Sequence, residues 1–394
     1  MKKCFIATLL AAQIAGHMPA AAEDIDLFAG VPPGAAEVPN VLVILDNTAN
    51  WDAAFDNEMA ALSKVLGTLP PERFRVGLMM FGETGADNSN VAGGYVRAAV
   101  RLLDSDNQTR YAALIDSLDK NADQSARGSL AMTMAEAYFY FSGLAPHSGN
   151  NKDRTDYRGN SSGSSRSNAV YALSGNALLS KAGSPYVSPV TSACARNFIV
   201  YISNSALHDN VIDNSLASAQ LAAAGGSTIA IPLSPADAQD NIADEWARWM
   251  KQDALGLTTY TIDVNRASDG NGPGWSALLR SMAAVIGGKY FDVAASGTAI
   301  ADALNVAFGE IQAVNSVFAS PSLPASAHTR STLLNEVFIG MFRPDENGLS
   351  RWLGNLKHYK IGLLDGSPRL LDSRDEPALD SGTGFMTGCA RSFW

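Results

Sequence analysis

Two hydrophobic patterns alternate along this chain. Short unbroken apolar runs mark buried strands, and apolar residues recurring at three- and four-residue steps mark amphipathic helices. Val41 to Leu45 has no polar break and stops at Asp46, which predicts a strand buried on both faces, as in a parallel sheet. Phe55, Met59, Leu62, Val65 and Leu66 then recur at helical steps, and Gly67, Pro70 and Pro71 close that helix. Phe74–Phe81 and Gly93–Leu103 predict the next strands, Tyr111–Leu118 a short helix, and Leu130–Phe141 an apolar, buried one. Strands follow at Asn197–Ile202, Thr258–Val264 and Lys289–Val293, interleaved with helices at Ala243–Leu255, Trp275–Ile286 and Ala299–Val317. Trp246, Trp249 and Met250 share one side of their helix and are assigned to the core. Strands alternating with helices predict an α/β fold, a doubly wound, mainly parallel sheet over residues 39–318.

Two stretches break the alternation. Residues 143–192 are dense in Ser, Asn and Gly and are expected to form a partly disordered surface insertion. After 318 the helical signal ends. Leu333–Arg343 and Arg351–Ile361 predict two strands around the turn Asp345-Glu346-Asn347-Gly348, so 319–394 is a β-rich segment, thin for a domain of its own.

Composition narrows the class. The hydrophobic content of 46% with 17% charged residues is that of a globular protein, and a net charge of −10 speaks against nucleic acid as a partner. Lys2 and Lys3, the apolar run Cys4–Ile14 and the small residues ending Ala20-Ala21-Ala22 describe a signal peptide, residues 1–22, with cleavage after Ala22. The apolar run falls short of the ~20 residues that span a bilayer, and no later segment is long and apolar enough. Export to the periplasm, the outer-membrane surface or beyond is the expectation, with 23–38 as a Pro- and Gly-containing lead-in. Cleavage leaves Cys194 and Cys389, which either pair in an oxidising compartment or stay as thiols.

Candidate chemistry is concentrated behind the first strand. Ligands of parallel sheets gather at the carboxyl ends of strands, which is where Asp46, Thr48 and Asn50 fall. Elsewhere the motifs dissolve. Gly159-Asn160-Ser161-Ser162-Gly163 fits G-x-S-x-G but has no strand before it. His17, His147, His208, His328 and His358 are scattered, with no H-E-x-x-H or Cys/His cluster. Nothing points to an enzyme.

The D-x-T-x-N spacing of Asp46, Thr48 and Asn50 resembles the D-x-S-x-S cation loop of von Willebrand factor A domains. That resemblance implies an A-like fold and a three-loop oxygen site for Mg²⁺ or Ca²⁺. The first loop keeps Asp46 and the Thr48 hydroxyl, with an Asn50 amide in place of a Ser. Alignment on the helix AEAYFYFSG puts Gly128 at the second-loop Thr, with Ser129 one residue on, and Asn204 at the third-loop Asp. One formal charge then replaces two. A metal-free loop held together by hydrogen bonds from Asp46 is favoured over a cation, and Asp52 is assigned to the helix start.

A second resemblance is carried by the far end. Asn315-Ser316-Val317-Phe318, Phe338-Ile339-Gly340-Met341-Phe342-Arg343-Pro344 and Arg351-Trp352-Leu353-Gly354-Asn355-Leu356-Lys357 resemble the PilC/PilY family of type IV pilus tip proteins. Ser281-Met282-Ala283 and Gly287-Gly288-Lys289-Tyr290-Phe291 add to it. The family implies an A-type domain followed by a β-propeller, minor pilins or a pilus-tip complex as partners, and roles in pilus assembly, adhesion to host or abiotic surfaces and twitching motility. On that plan 319–394 is the start of a truncated propeller. The alternative is a stand-alone periplasmic or surface A-type binding module with no pilus role.

Overall fold

The computed structural model describes residues 38–48, 53–82, 91–125, 128–183, 185–191, 195–204, 209, 211–264, 272–285, 287–315, 318–319, 336–343, 353–364, 366–379 and 390–393. A six-stranded sheet is built from β1 (Asn40–Leu45), β2 (Arg75–Met80), β3 (Tyr95–Leu102), β4 (Asn197–Ser203), β5 (Thr258–Val264) and β6 (Tyr290–Val293). Its order is β3-β2-β1-β4-β5-β6, parallel throughout except for β3, which runs antiparallel to β2 at the edge. The helices are α1 (Ala53–Thr68), α2 (Ser105–Asp116), α3 (Leu130–Ser142), α4 (Ser165–Tyr171), α5 (Val211–Ala223), α6 (Ala243–Gln252), α7 (Gly272–Ala284) and α8 (Gly297–Asn315). This is a von Willebrand factor A-like, doubly wound α/β architecture.

The continuous apolar runs have a direct explanation in the two cores. Side chains alternate across a strand, so Val41, Val43 and Leu45 enter one core while Leu42 and Ile44 enter the other. β4 repeats this, with Phe198, Val200 and Ile202 against Ile199 and Tyr201. Helices α1, α2 and α8 cover the first face through Phe55, Leu62, Tyr111, Leu304 and Phe308. Helices α3, α6 and α7 cover the second through Met134, Trp246, Leu278 and Met282. Trp246 is fully buried there, as its helix face predicts, and Trp249 packs partly buried at the margin. Where β2 and β3 pair, the register shifts around Gly77, and a Cβ at that position would meet Val100 N at 2.8 Å. The strands close only over glycine.

Residues 143–192 depart from the expectation of a loose loop. They contain α4, capped by Ser164, and a bridge between Tyr157 and Leu178. They also bond the outer edge of β3, where Asp156 N donates to Val96 O (2.8 Å) and Ala99 N donates to Asp156 Oδ2 (2.7 Å). The insertion thereby covers an edge strand that would otherwise offer unpaired backbone groups.

Two further helix readings change. α2 begins at Ser105 because Asp104 caps it, its carboxylate accepting from Asn107 N at 2.8 Å. That first turn is polar and invisible to apolar periodicity. α5 was not foreseen for the same reason, since only Ala217 and Leu221 of its residues are buried. Beyond α8, β7 (Phe318–Ala319), β8 (Glu336–Arg343), β9 (Leu353–Leu364) and β10 (Ser367–Leu371) form a separate antiparallel sheet. Val337, Ile339, Tyr359 and Ala378 make its small core. Residues 1–22, the lead-in to 37, Cys194 and Cys389 lie outside the described residues.

Candidate functional site

The carboxyl end of the central sheet gathers the first, second and third loops. β1 delivers Asp46 to that end fully buried. Its Oδ1 accepts from Thr48 N at 3.1 Å and its Oδ2 from the Ser203 hydroxyl at 2.7 Å, which ties the end of β1 to the end of β4. Burial pushes the Asp46 carboxyl up to about 6, and the hydrogen bonds from Ser203 and Thr48 offset only part of that. A folded-state value above the ordinary one means that the associated stability is present below about pH 4 and is lost as pH rises through about 6. At neutral pH the ionised Asp46 is therefore a standing cost that a neighbouring positive charge would relieve.

Asn47, which sequence reasoning passed over, is the clamp of this edge. Its Oδ1 accepts from Phe81 N (2.8 Å), and its Nδ2 donates to Gly82 O (3.1 Å) and Asp123 O (2.8 Å). One buried amide thus joins the ends of β1 and β2 to the turn before Ser125. Asn at this position between two ligand candidates was the available signal.

Ser129 lies at the start of α3 and Asn204 just past β4. Ser129 is the N-cap residue of α3, yet its hydroxyl makes no capping bond. Asp209 performs that task from the third loop, accepting from Leu130 N at 2.7 Å and Ala131 N at 3.0 Å, with Asn241 Nδ2 donating at 2.6 Å. Capping from a distance releases the serine. Ser129 Oγ and both amide atoms of Asn204 are buried and, among the described residues, have no hydrogen-bond partner. Burial likewise raises the Asp209 carboxyl to about 6. The sequence puts an acid five residues after Asn204, and that spacing was the sign of a third-loop carboxylate.

Tyr201 registers the charge of the whole edge. Burial first, then the negative charges of Asp46, Asp209 and Asp263, hold its hydroxyl well above the usual range. Asp263 itself accepts from the Ser276 hydroxyl at 2.6 Å and the Tyr290 hydroxyl at 2.8 Å.

Among the described residues no group of three or more His, Cys, Asp or Glu side chains gathers as a metal cluster. The donor set at this edge is different in kind: one carboxylate with hydroxyl and amide oxygens. The buried carboxylate of Asp46 and the unpaired oxygens of Ser129 and Asn204 fit a hard cation in donor chemistry. Thr48 is buried beside Asp46, while Asn50 and Asp52 lie outside the described residues. Among the described residues no helix is long and apolar enough to cross a membrane.

No protein-family model matches the sequence, and no curated protein matches it. Among solved structures the chain is similar to proximal thread matrix protein 1 from the mussel byssus, with a TM-score of 0.37 and 7% identity over 72% of this chain and 49% of that one. The same byssus protein with a zinc-occupied MIDAS motif gives a TM-score of 0.35 and 8% identity over 72% and 49%. The PilB minor pilin from Streptococcus sanguinis gives 0.32 and 10% identity over 70% and 62%. The chain spans about half the length of the byssus protein, 49%. The fold class rests on the strand order and directions given above.

Proposed function

We propose that this chain is an exported type IV pilus-associated protein, acting in pilus assembly and adhesion through its A-type binding domain. The observation that carries the pilus reading is the PilC/PilY-like run. Its described parts, Phe338–Arg343 and Leu353–Lys357, pair with each other as the β8–β9 hairpin, Phe342 opposite Gly354 and Ile339 opposite Lys357. The proposed activity is recognition.

The binding end is assigned to the Asp46 edge, because the buried Asp46 carboxylate is accompanied there by the Ser129 hydroxyl and the Asn204 amide, which have no hydrogen-bond partner among the described residues. Mg²⁺ or Ca²⁺ would be held by Asp46 and Thr48 with the oxygens of Ser129 and Asn204. A bound divalent cation would supply two positive charges, one offset by Asp46, leaving one for an acidic group on the partner. This chain's own residues do the rest: Asn47 fixes the loop, Asp209 anchors the second loop to the third, and Ser203 orients Asp46.

Removing the coding region from the native cell should lower surface pili and attachment, and the wild-type gene supplied in trans should restore both. Unchanged piliation and attachment would leave the stand-alone binding module as the better reading.

A further inference from the structure

The opposite end of the same sheet carries a cleft, away from the Asp46 edge. β2 begins there at Arg75, β3 ends there at Leu102, and Leu173–Gly175 and Val187–Pro189 of the insertion line the cleft beside them. The cleft has a volume of about 370 Å³, within the range of small-ligand pockets. Its walls include Val100, Leu102, Tyr140, Leu173, Val187 and Pro189.

Two arginines line it and differ in what they have left to bind. Arg101 is saturated. Its Nη1 and Nη2 donate to the two oxygens of Asp156 at 2.7 and 3.1 Å, and its Nε donates to Ser174 O at 2.8 Å. Arg75 uses only Nε, which donates to Asn40 Oδ1 at 3.0 Å. Among the described residues its Nη1 and Nη2 have no acceptor. Asn40 is itself fixed, donating through Nδ2 to Asn197 Oδ1 at 2.9 Å, and Asn197 Nδ2 in turn donates to Leu255 O at 2.8 Å. A relay of two buried amides thus sets the guanidinium plane and leaves its terminal fork open.

A guanidinium fork matches a carboxylate with two parallel N–H···O bonds. Asn107, Ser188 and Thr191 also line the cleft, and among its described lining residues Arg75 is the arginine with no carboxylate partner, which suits a monoanion. Hydrocarbon walls beside the fork suit a carboxylate with an apolar body. In a chain of net charge −10, an unneutralised arginine at the mouth of an apolar cleft also marks the place where an anion is drawn in.

We propose that this cleft binds an apolar carboxylate, its head on the Arg75 fork and its hydrocarbon body against Leu102, Leu173 and Val187. Such a group comes either from the free carboxyl end of an apolar peptide or from a small aliphatic acid.

Calorimetry on the purified chain separates these cases with three probes: N-acetyl-leucyl-leucine, its carboxamide, and octanoate. Saturable heat is expected with at least one acid. The carboxamide should bind at least about tenfold more weakly, the loss that goes with a charge-assisted pair. Arg75→Gln should lose the acid by a similar factor, and Arg75→Lys, which keeps charge without the fork, should fall between. Val187 is 41% exposed, so Val187→Asp tests the wall with the fold intact, and it too should weaken the acid. A dipeptide acid that outbinds octanoate identifies a peptide terminus, and the reverse identifies a small acid. Equal binding of acid and carboxamide, undiminished binding by Arg75→Gln and Val187→Asp, or no heat from either acid at millimolar concentration would reduce Arg75 to a solvated structural residue and overturn the proposal.

Discussion

A chain carrying Asp156→Ala is expected to lose about 3–5 kcal/mol of stability, the cost of stranding a buried charge. Asp156 is fully buried and serves four donors at once: Arg101 through both terminal nitrogens, Ala99 N on the edge strand, and the Asn176 side chain. Alanine removes the counter-charge of a guanidinium that stays inside, so Arg101 is left unpaired. It also releases residues 143–192 from β3. Chemical denaturation should show a large drop in midpoint, and limited proteolysis should cut first within the insertion. The double variant Asp156→Ala/Arg101→Leu should recover part of the loss, because it removes the stranded charge as well. A midpoint within a few tenths of a kcal/mol of wild type would mean that the insertion is not anchored there.

The second large effect is expected at Glu136, on the buried face of α3. Its carboxylate accepts from His147 N (3.1 Å), Ser148 N (3.0 Å), Gly149 N (3.0 Å) and the Tyr186 hydroxyl (2.6 Å). Desolvation by burial raises its carboxyl above the usual range, and these hydrogen bonds act against that shift. Glu136→Ala leaves several buried donors without an acceptor, each costing about 1–3 kcal/mol unless water enters. A total loss on the order of 4 kcal/mol is expected, near the upper end for single substitutions. Glu136→Gln keeps one acceptor oxygen but turns an N–H toward N–H donors, so it should lie between alanine and wild type. Hydrogen exchange at 147–149 should speed up in both variants. Unaltered exchange there would contradict the role assigned to Glu136.

These two carboxylates explain why the insertion was misread. Composition counts Ser, Asn and Gly, and by that measure 143–192 is a loose loop. What orders it is a pair of buried acids, Glu136 outside the segment and Asp156 inside it. Neither is visible to a hydrophobic period, because their donors are backbone N–H groups and polar side chains. The central sheet was legible for the opposite reason. Val41–Leu45 and Asn197–Ile202 are apolar at every or nearly every position, which only a strand buried on both faces requires.

At the candidate site the legible part was the loop position. An acid directly after a buried strand of a parallel sheet can be placed from sequence. The missing part was long-range. Ser129 and Asn204 looked like weak ligands because alignment considers residues one at a time. The structure has Asp209 taking over the helix cap, so among the described residues the Ser129 hydroxyl is left without a partner. Similarly, Asn47 has no ligand signature, and its importance comes from two loops distant in sequence that meet at its amide.

The Asp46 end of the sheet is the proposed place where the domain holds a ligand. Titration calorimetry with Mg²⁺ and with Ca²⁺ on wild type and Asp46→Ala tests it most directly. Saturable heat is expected for wild type at pH 7.5 with at least one of the two ions. It should weaken as pH falls through about 6, where protons compete for Asp46, and should be absent in Asp46→Ala. No heat from either ion in wild type, or equal heat in both proteins, would contradict it.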